Sequence, residues 1–193
     1  METSATLLDR LHGTDNAAAW QRMVSLYTPL IRGWLLRQNL PPQDADDVVQ
    51  EILTVVVRRF PKFQRQPRTG AFRCWLRTIT ANCLHDFWRK RRKGPLAGGA
   101  GQAPSWLDEL ADSDSALSRQ WDLEHEQYLF RRLLEILRPR FEPMTWRAFE
   151  LVTLAGKSPQ EAAAELGVTV NSVFIAKSRV LSLLRQEAAD LID

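Results

Sequence analysis

The chain has 193 residues, 45% of them apolar and 25% charged, which suits one or two globular domains and excludes collagen-like and disulfide-scaffold classes. No apolar run approaches the roughly 18 residues of a membrane span, and the start METSATLLDR lacks the basic flank and apolar core of an export signal, so a cytoplasmic protein is expected. The net charge of +3 hides a strong segregation: residues 58–93 carry twelve basic side chains against one acidic, whereas residues 94–129 carry one against seven.

In chain order, Trp20, Met23, Val24 and Tyr27 lead at helical spacing to Pro29, and Leu30, Ile31, Trp34 and Leu35 continue to the break at Pro41-Pro42. Val48, Val49, Ile52, Leu53, Val55 and Val56 form the next stripe. The run Val55-Val56-Val57 has strand character, but the 3.6-residue period and the acidic start after Pro42 favour a helix. Phe72, Trp75, Leu76, Ile79, Cys83 and Phe87 then trace one face of a long helix ending in Arg89-Lys-Arg-Arg-Lys93. Cys74 and Cys83 both lie along it, cannot bridge each other without breaking it, and are expected as reduced thiols.

The stretch Gly94 to Pro104 is flexible by composition and passes into an acidic, Ser-containing run, so a flexible acidic linker is expected over 94–119. Beyond it, Trp121 to Leu137 reads as a helix stopped by Pro139, and a second starts at Pro143 and ends near Gly156. Ser158 as N-cap, Pro159 at the first helical position and Glu161 completing a capping box start a third, which Gly167 closes. Thr169 can cap a last helix through Val173, Ala176, Val180, Leu181 and Leu184, which makes a helix-turn-helix pattern. The expected fold is all-α: two small helical domains, 1–93 and 120–193, joined by the linker.

Twelve basic residues within 36 are a polyanion footprint, with an ordinary basic surface as the plainer alternative. Trp and Phe among them can stack on unpaired bases, or Phe72, Trp75, Leu76 and Ile79 can simply be core; Trp88 falls off that stripe and is the better functional ring. Asp47, Gln50, Glu51 and Thr54 share the face opposite the apolar stripe, suited to a basic protein partner or to complementing the helix dipole. Catalysis is poorly supported. His12, His85 and His125 are scattered, no Cys/His spacing suits zinc, and His85-Asp86 lacks the further ligands of a metal phosphohydrolase. No enzyme activity, cofactor or metal is expected.

Together these features resemble a sigma-70-type RNA polymerase sigma factor of the extracytoplasmic-function (ECF) group over nearly the whole chain. Tyr27-Thr-Pro-Leu-Ile31 with Asp44-Ala-Asp-Asp-Val-Val-Gln-Glu51 is similar to the polymerase-binding signature of region 2. Phe72-Arg-Cys-Trp-Leu-Arg77 with Ala81-Asn82, Asp86 and Trp88-Arg89 is similar to its promoter-opening helix, and Ser158 to Gly167 resembles the helix-turn-helix entry of region 4.

The resemblance implies a transcription initiation factor that binds core RNA polymerase, at the largest-subunit clamp helices and the flap region, and directs it to promoter DNA. It implies region 2 over 1–93 and region 4 over 120–193. Asp46, Asp47, Gln50 and Glu51 would meet the clamp helices. Gln64, Arg65, Arg68, Arg73, Arg77, Asn82, Asp86, Trp88 and Arg89 would handle the −10 element and its melting. Thr169, Asn171, Ser172, Lys177, Ser178 and Arg179 would take the −35 side. The recognition helix departs from the usual polar, basic start with Val173-Phe-Ile-Ala176; Phe174 or Ile175 can touch a thymine methyl or pack internally. An anti-sigma factor or a regulatory kinase is a candidate further partner. The rival readings are a dimeric helix-turn-helix repressor, a nucleic-acid enzyme using His85 and Asp86, and an interaction protein without promoter activity.

Overall fold

The computed structural model describes residues 7–13, 16–63, 70–93 and 103–191, and among them every regular element is helical. They divide into two compact units, one reaching to Tyr128 and the other spanning Leu129–Leu191.

The first unit begins with α1 (Leu7–Leu11), α2 (Ala17–Arg37) and α3 (Pro42–Arg59). Helix α2 continues through Pro29 and ends where Asn39 turns left-handed, at φ 61°. Asn is among the few side chains that tolerate this conformation. Pro42 opens α3 at a first-turn position where its missing N–H costs nothing, and Ala45, Val48, Val49, Ile52, Leu53 and Val56 bury one face. The β-branched run is therefore helical, as its period predicts. Helix α4 (Ala71–Lys93) packs on α3, burying Phe72, Leu76, Ile79, Cys83 and Leu84. Most of its stripe is thus core. Phe60, Phe63, Phe72 and Trp75 gather into one aromatic cluster, with Phe63 and Trp75 ring centroids 4.9 Å apart. Cys74 and Cys83 are both free thiols, and burial pushes that of Cys83 up to about 11.

The expected flexible linker over 94–119 is corrected in its second half. Residues 94–102 lie outside the described ones, but α5 (Trp106–Ala111) and the start of α6 (Ala116–Leu137) are helical. Leu107 and Leu110 supply the reason: one turn apart, they bury completely as α5 packs on α4. Two apolar anchors in an acidic run outweigh a composition that reads as solvated. Trp121 and His125, also buried, extend the first unit into α6, so the division falls after Tyr128 and not at residue 120.

The second unit contains the rest of α6, α7 (Pro143–Phe149), a π-helical turn (Glu150–Leu154), α8 (Pro159–Leu166) and α9 (Val170–Leu191). Ala148, Leu151, Ala162, Ala163, Val173 and Ala176 form its small-residue core. The Ser158 hydroxyl accepts from the Glu161 N–H while the Glu161 carboxylate accepts from the Ser158 N–H, completing the expected capping box. Gly167 ends α8 at φ 64°, a left-handed cap that glycine adopts without strain.

Candidate nucleic-acid interface

On α3 the side chains of Asp46, Asp47, Gln50 and Glu51 are exposed, opposite the buried stripe. Arg32 of α2 donates to Asp46 at 2.6 Å, and this hydrogen bond holds the Asp46 carboxyl below the usual carboxylate range. Thr54 donates back to the Gln50 carbonyl at 2.8 Å, so its hydroxyl is turned onto its own helix. Asp47, Gln50 and Glu51 remain as the outward acidic and amide surface. Asp44, at the start of α3, is tied to Arg91 at the end of α4 by an ion pair at 2.5 Å.

Along α4, Asn82, Asp86 and Arg89 fall at i, i+4 and i+7 on one face. Asn82 and Arg89 are exposed; Asp86 is half-buried and pairs with Arg89 at 2.6 Å. Trp88 is also half-buried, its ring 5.5 Å from that of Phe87, and the Arg91 guanidinium lies over both rings at 5.8 and 5.9 Å. Lys90 and Arg92 are exposed. The end of α4 is therefore a ring-bearing cationic tip.

The other α4 arginines behave differently. Arg77 is 4% exposed and its Nη1 donates to Asp122 of α6 at 3.0 Å. Arg73 is only partly exposed; its Nε lies 3.4 Å from the same carboxylate and its Nη1 donates to Glu126. Expected as promoter contacts, both are internal ion-pair partners in this conformation. They lie on the side of α4 that α6 covers. His125, next in line, is buried against Tyr27 with ring centroids 5.6 Å apart, and burial, then the Arg73 charge, holds its imidazole down to about 3. Gln64, Arg65 and Arg68 lie outside the described residues.

In the second unit, α8 and α9 meet at 106° across the Gly167 turn. Thr169 is exposed but occupied, since its Oγ1 accepts from the Ser172 N–H at 3.1 Å as the N-cap of α9. Asn171, Ser172, Ser178 and Arg179 are exposed and Lys177 is half-buried. Of the two fates open to Phe174 and Ile175, internal packing is overturned: they are 52% and 45% exposed. Val173, Ala176, Val180 and Leu184 fill the buried stripe, so Phe174 and Ile175 are turned out. Ile175, Ser178 and Arg179 also line an open groove of about 540 Å³ with Phe141 and Leu183.

The sequence reading missed Asp122 and Glu126, and took Trp121 only as the start of a helix and His125 only as a scattered histidine. The signal was present: Trp121/His125 and Asp122/Glu126 are adjacent i, i+4 pairs, an apolar edge beside an acidic one. Among the described residues no group of three or more His, Cys, Asp or Glu is arranged to hold a metal, and no single helix is long and apolar enough to cross a membrane.

No curated protein matches the chain. Residues 23–94 match the family described as Sigma-70 region 2. That span holds the acidic face of α3 and every expected −10 residue, and leaves out the expected −35 residues.

Proposed function

We propose, from a sigma-70 region 2 over residues 23–94, that the chain is a sigma factor of the ECF group, a transcription initiation factor that binds core RNA polymerase and directs it to promoters. The region 2 match supports the coarser part of that reading, a sigma-70 family sigma factor acting with core polymerase on promoter DNA. One observation carries the contact with polymerase: Asp47, Gln50 and Glu51 form an exposed, uniformly acidic and amide surface on a helix whose other face is fully committed to the core. Such a surface meets a basic partner and repels DNA, which supports polymerase rather than promoter as what it contacts.

The −10 element falls to the tip of α4. Asn82, Asp86 and Arg89 line one face of the C-terminal half leading to it, and the Trp88 ring offers a stacking surface to an unpaired base. Lys90 and Arg92 supply phosphate contacts. The 106° bend, the Gly167 turn and the capped start of α9 support a helix-turn-helix as region 4, with Asn171, Ser172, Ser178 and Arg179 toward the −35 element. Thr169 holds the helix start in place. Phe174 and Ile175, on the outward face beside Asn171 and Ser178, supply the apolar surface that a thymine methyl requires. No catalytic step is assigned to the protein; it acts where the polymerase and its template are, in the cytoplasm. An anti-sigma factor or kinase is a further candidate partner, and the groove beside Ile175 is where an inhibitor of −35 recognition would act.

Transcription in vitro with purified core polymerase on a promoter library tests the reading. Promoter-specific transcripts that depend on the added chain are expected. Tight operator binding without polymerase, or polymerase binding without initiation, would instead favour a repressor or a pure interaction protein.

A further inference from the structure

We propose that the first half of α6 is a releasable acidic clamp on α4, filling with carboxylates a site that Arg73 and Arg77 would otherwise offer to phosphates. This rests on the sigma factor reading for its timing, release on assembly with polymerase, but not for its chemistry.

Three observations converge. Asp122 lies between the two guanidiniums, 3.0 Å from Arg77 and 3.4 Å from Arg73, and Glu126 takes the remaining edge of Arg73. Between them in the sequence, Glu124 pairs with Arg37 of α2. Carboxylates on guanidiniums use the geometry that phosphate oxygens would use, so the site is an anion site already occupied from within.

The seam is also imperfectly satisfied. Trp34 and Trp121 pack edge to face at 4.7 Å, yet neither indole N–H finds a hydrogen-bond partner in the protein, and neither does Nε2 of His125. Parting the helices gives these buried polar groups access to water, which lowers the cost of separation.

Finally, the clamp has a built attachment. α5 packs on α4, and the turn to α6 is locked by Ser118 Oγ, within 2.6 Å of the Asp112 carbonyl, and by Ser115 Oγ, which donates to the Glu109 carbonyl at 2.6 Å and accepts from the Ser118 N–H at 2.9 Å. The carboxylates of α6 are thereby held next to the arginines they neutralise.

The full chain carrying Asp122→Asn with Glu126→Gln tests the clamp, read by anisotropy with a labelled single-stranded oligonucleotide of mixed sequence. About a tenfold gain in affinity with a steeper salt dependence is expected, as about two further phosphates are engaged. A control pair, Glu135→Gln with Glu142→Gln, removes the same charge elsewhere and should gain less than about twofold. Equal gains from both pairs, or none from the first, overturn the clamp. Amide exchange of residues 116–128 supplies a second measurement on the unmodified chain. Protection in the free protein that falls on forming the holoenzyme supports release, and unchanged protection overturns it even where the double variant unfolds. A chain that never joins polymerase sinks the sigma factor reading, while the oligonucleotide arm still decides the anion site.

Discussion

Arg77 of α4 donates to Asp122 of α6 at 3.0 Å from a position that is 4% exposed, so a cation from the most basic segment is neutralised by a carboxylate from the most acidic one. The segregation of charge along the chain thus has a partner inside the fold. A buried ion pair contributes little net stability against an apolar replacement, but breaking it leaves one charge unmet.

Arg77→Ala is therefore expected to destabilise the first unit by about 2–4 kcal/mol, since the partly buried Asp122 carboxylate loses its closest donor. Denaturant unfolding measures it. An unchanged midpoint would be that of a solvent-facing arginine and would contradict the burial of Arg77.

Asp47→Arg with Glu51→Arg should leave the helical fold intact, because both side chains are exposed, and reduce association with core polymerase by about a hundredfold or more through like-charge contact. Co-purification with core enzyme reads it directly. Asp46 is a poorer choice, since its removal also releases Arg32.

The buried His125 makes stability depend on acid. Its folded value of about 3 lies below the ordinary 6.5, so between these limits the unfolded chain binds more protons than the folded one. The stabilisation that comes from keeping the imidazole neutral is complete above about pH 6.5 and is lost as the pH falls toward about 3. Thermal unfolding across that range should show the fall, and His125→Phe should flatten it. A variant profile as steep as the parent's would assign the acid sensitivity to other groups.

Thymine reading by α9 is open to a one-atom-group experiment. On a promoter chosen by the holoenzyme, replacing −35 thymines by uracil removes only methyl groups and should weaken binding by about fourfold for each methyl in contact. Phe174→Ala with Ile175→Ala should bind the two DNAs equally, since the apolar surface is then gone. Equal binding by the parent chain would assign Phe174 and Ile175 to another partner.

Much of this was written in local pattern. The periods of α3, α4 and α9, the Ser158–Glu161 box and the Gly167 cap each depend on residues within a turn or two of one another, so the sequence alone determined these helices, the two ends of α8 and the acidic face of α3. What lay beyond it were pairings across long separations. Whether Arg73 and Arg77 face solvent or α6, whether 106–119 is loose or packed, and whether Phe174 turns in or out depend on which apolar residues find a partner first. Leu107, Leu110 and Trp121 did, against α4 and α2, and they carried Asp122 onto the arginines. Burial is decided by the sum of such contacts, and no window of sequence contains that sum.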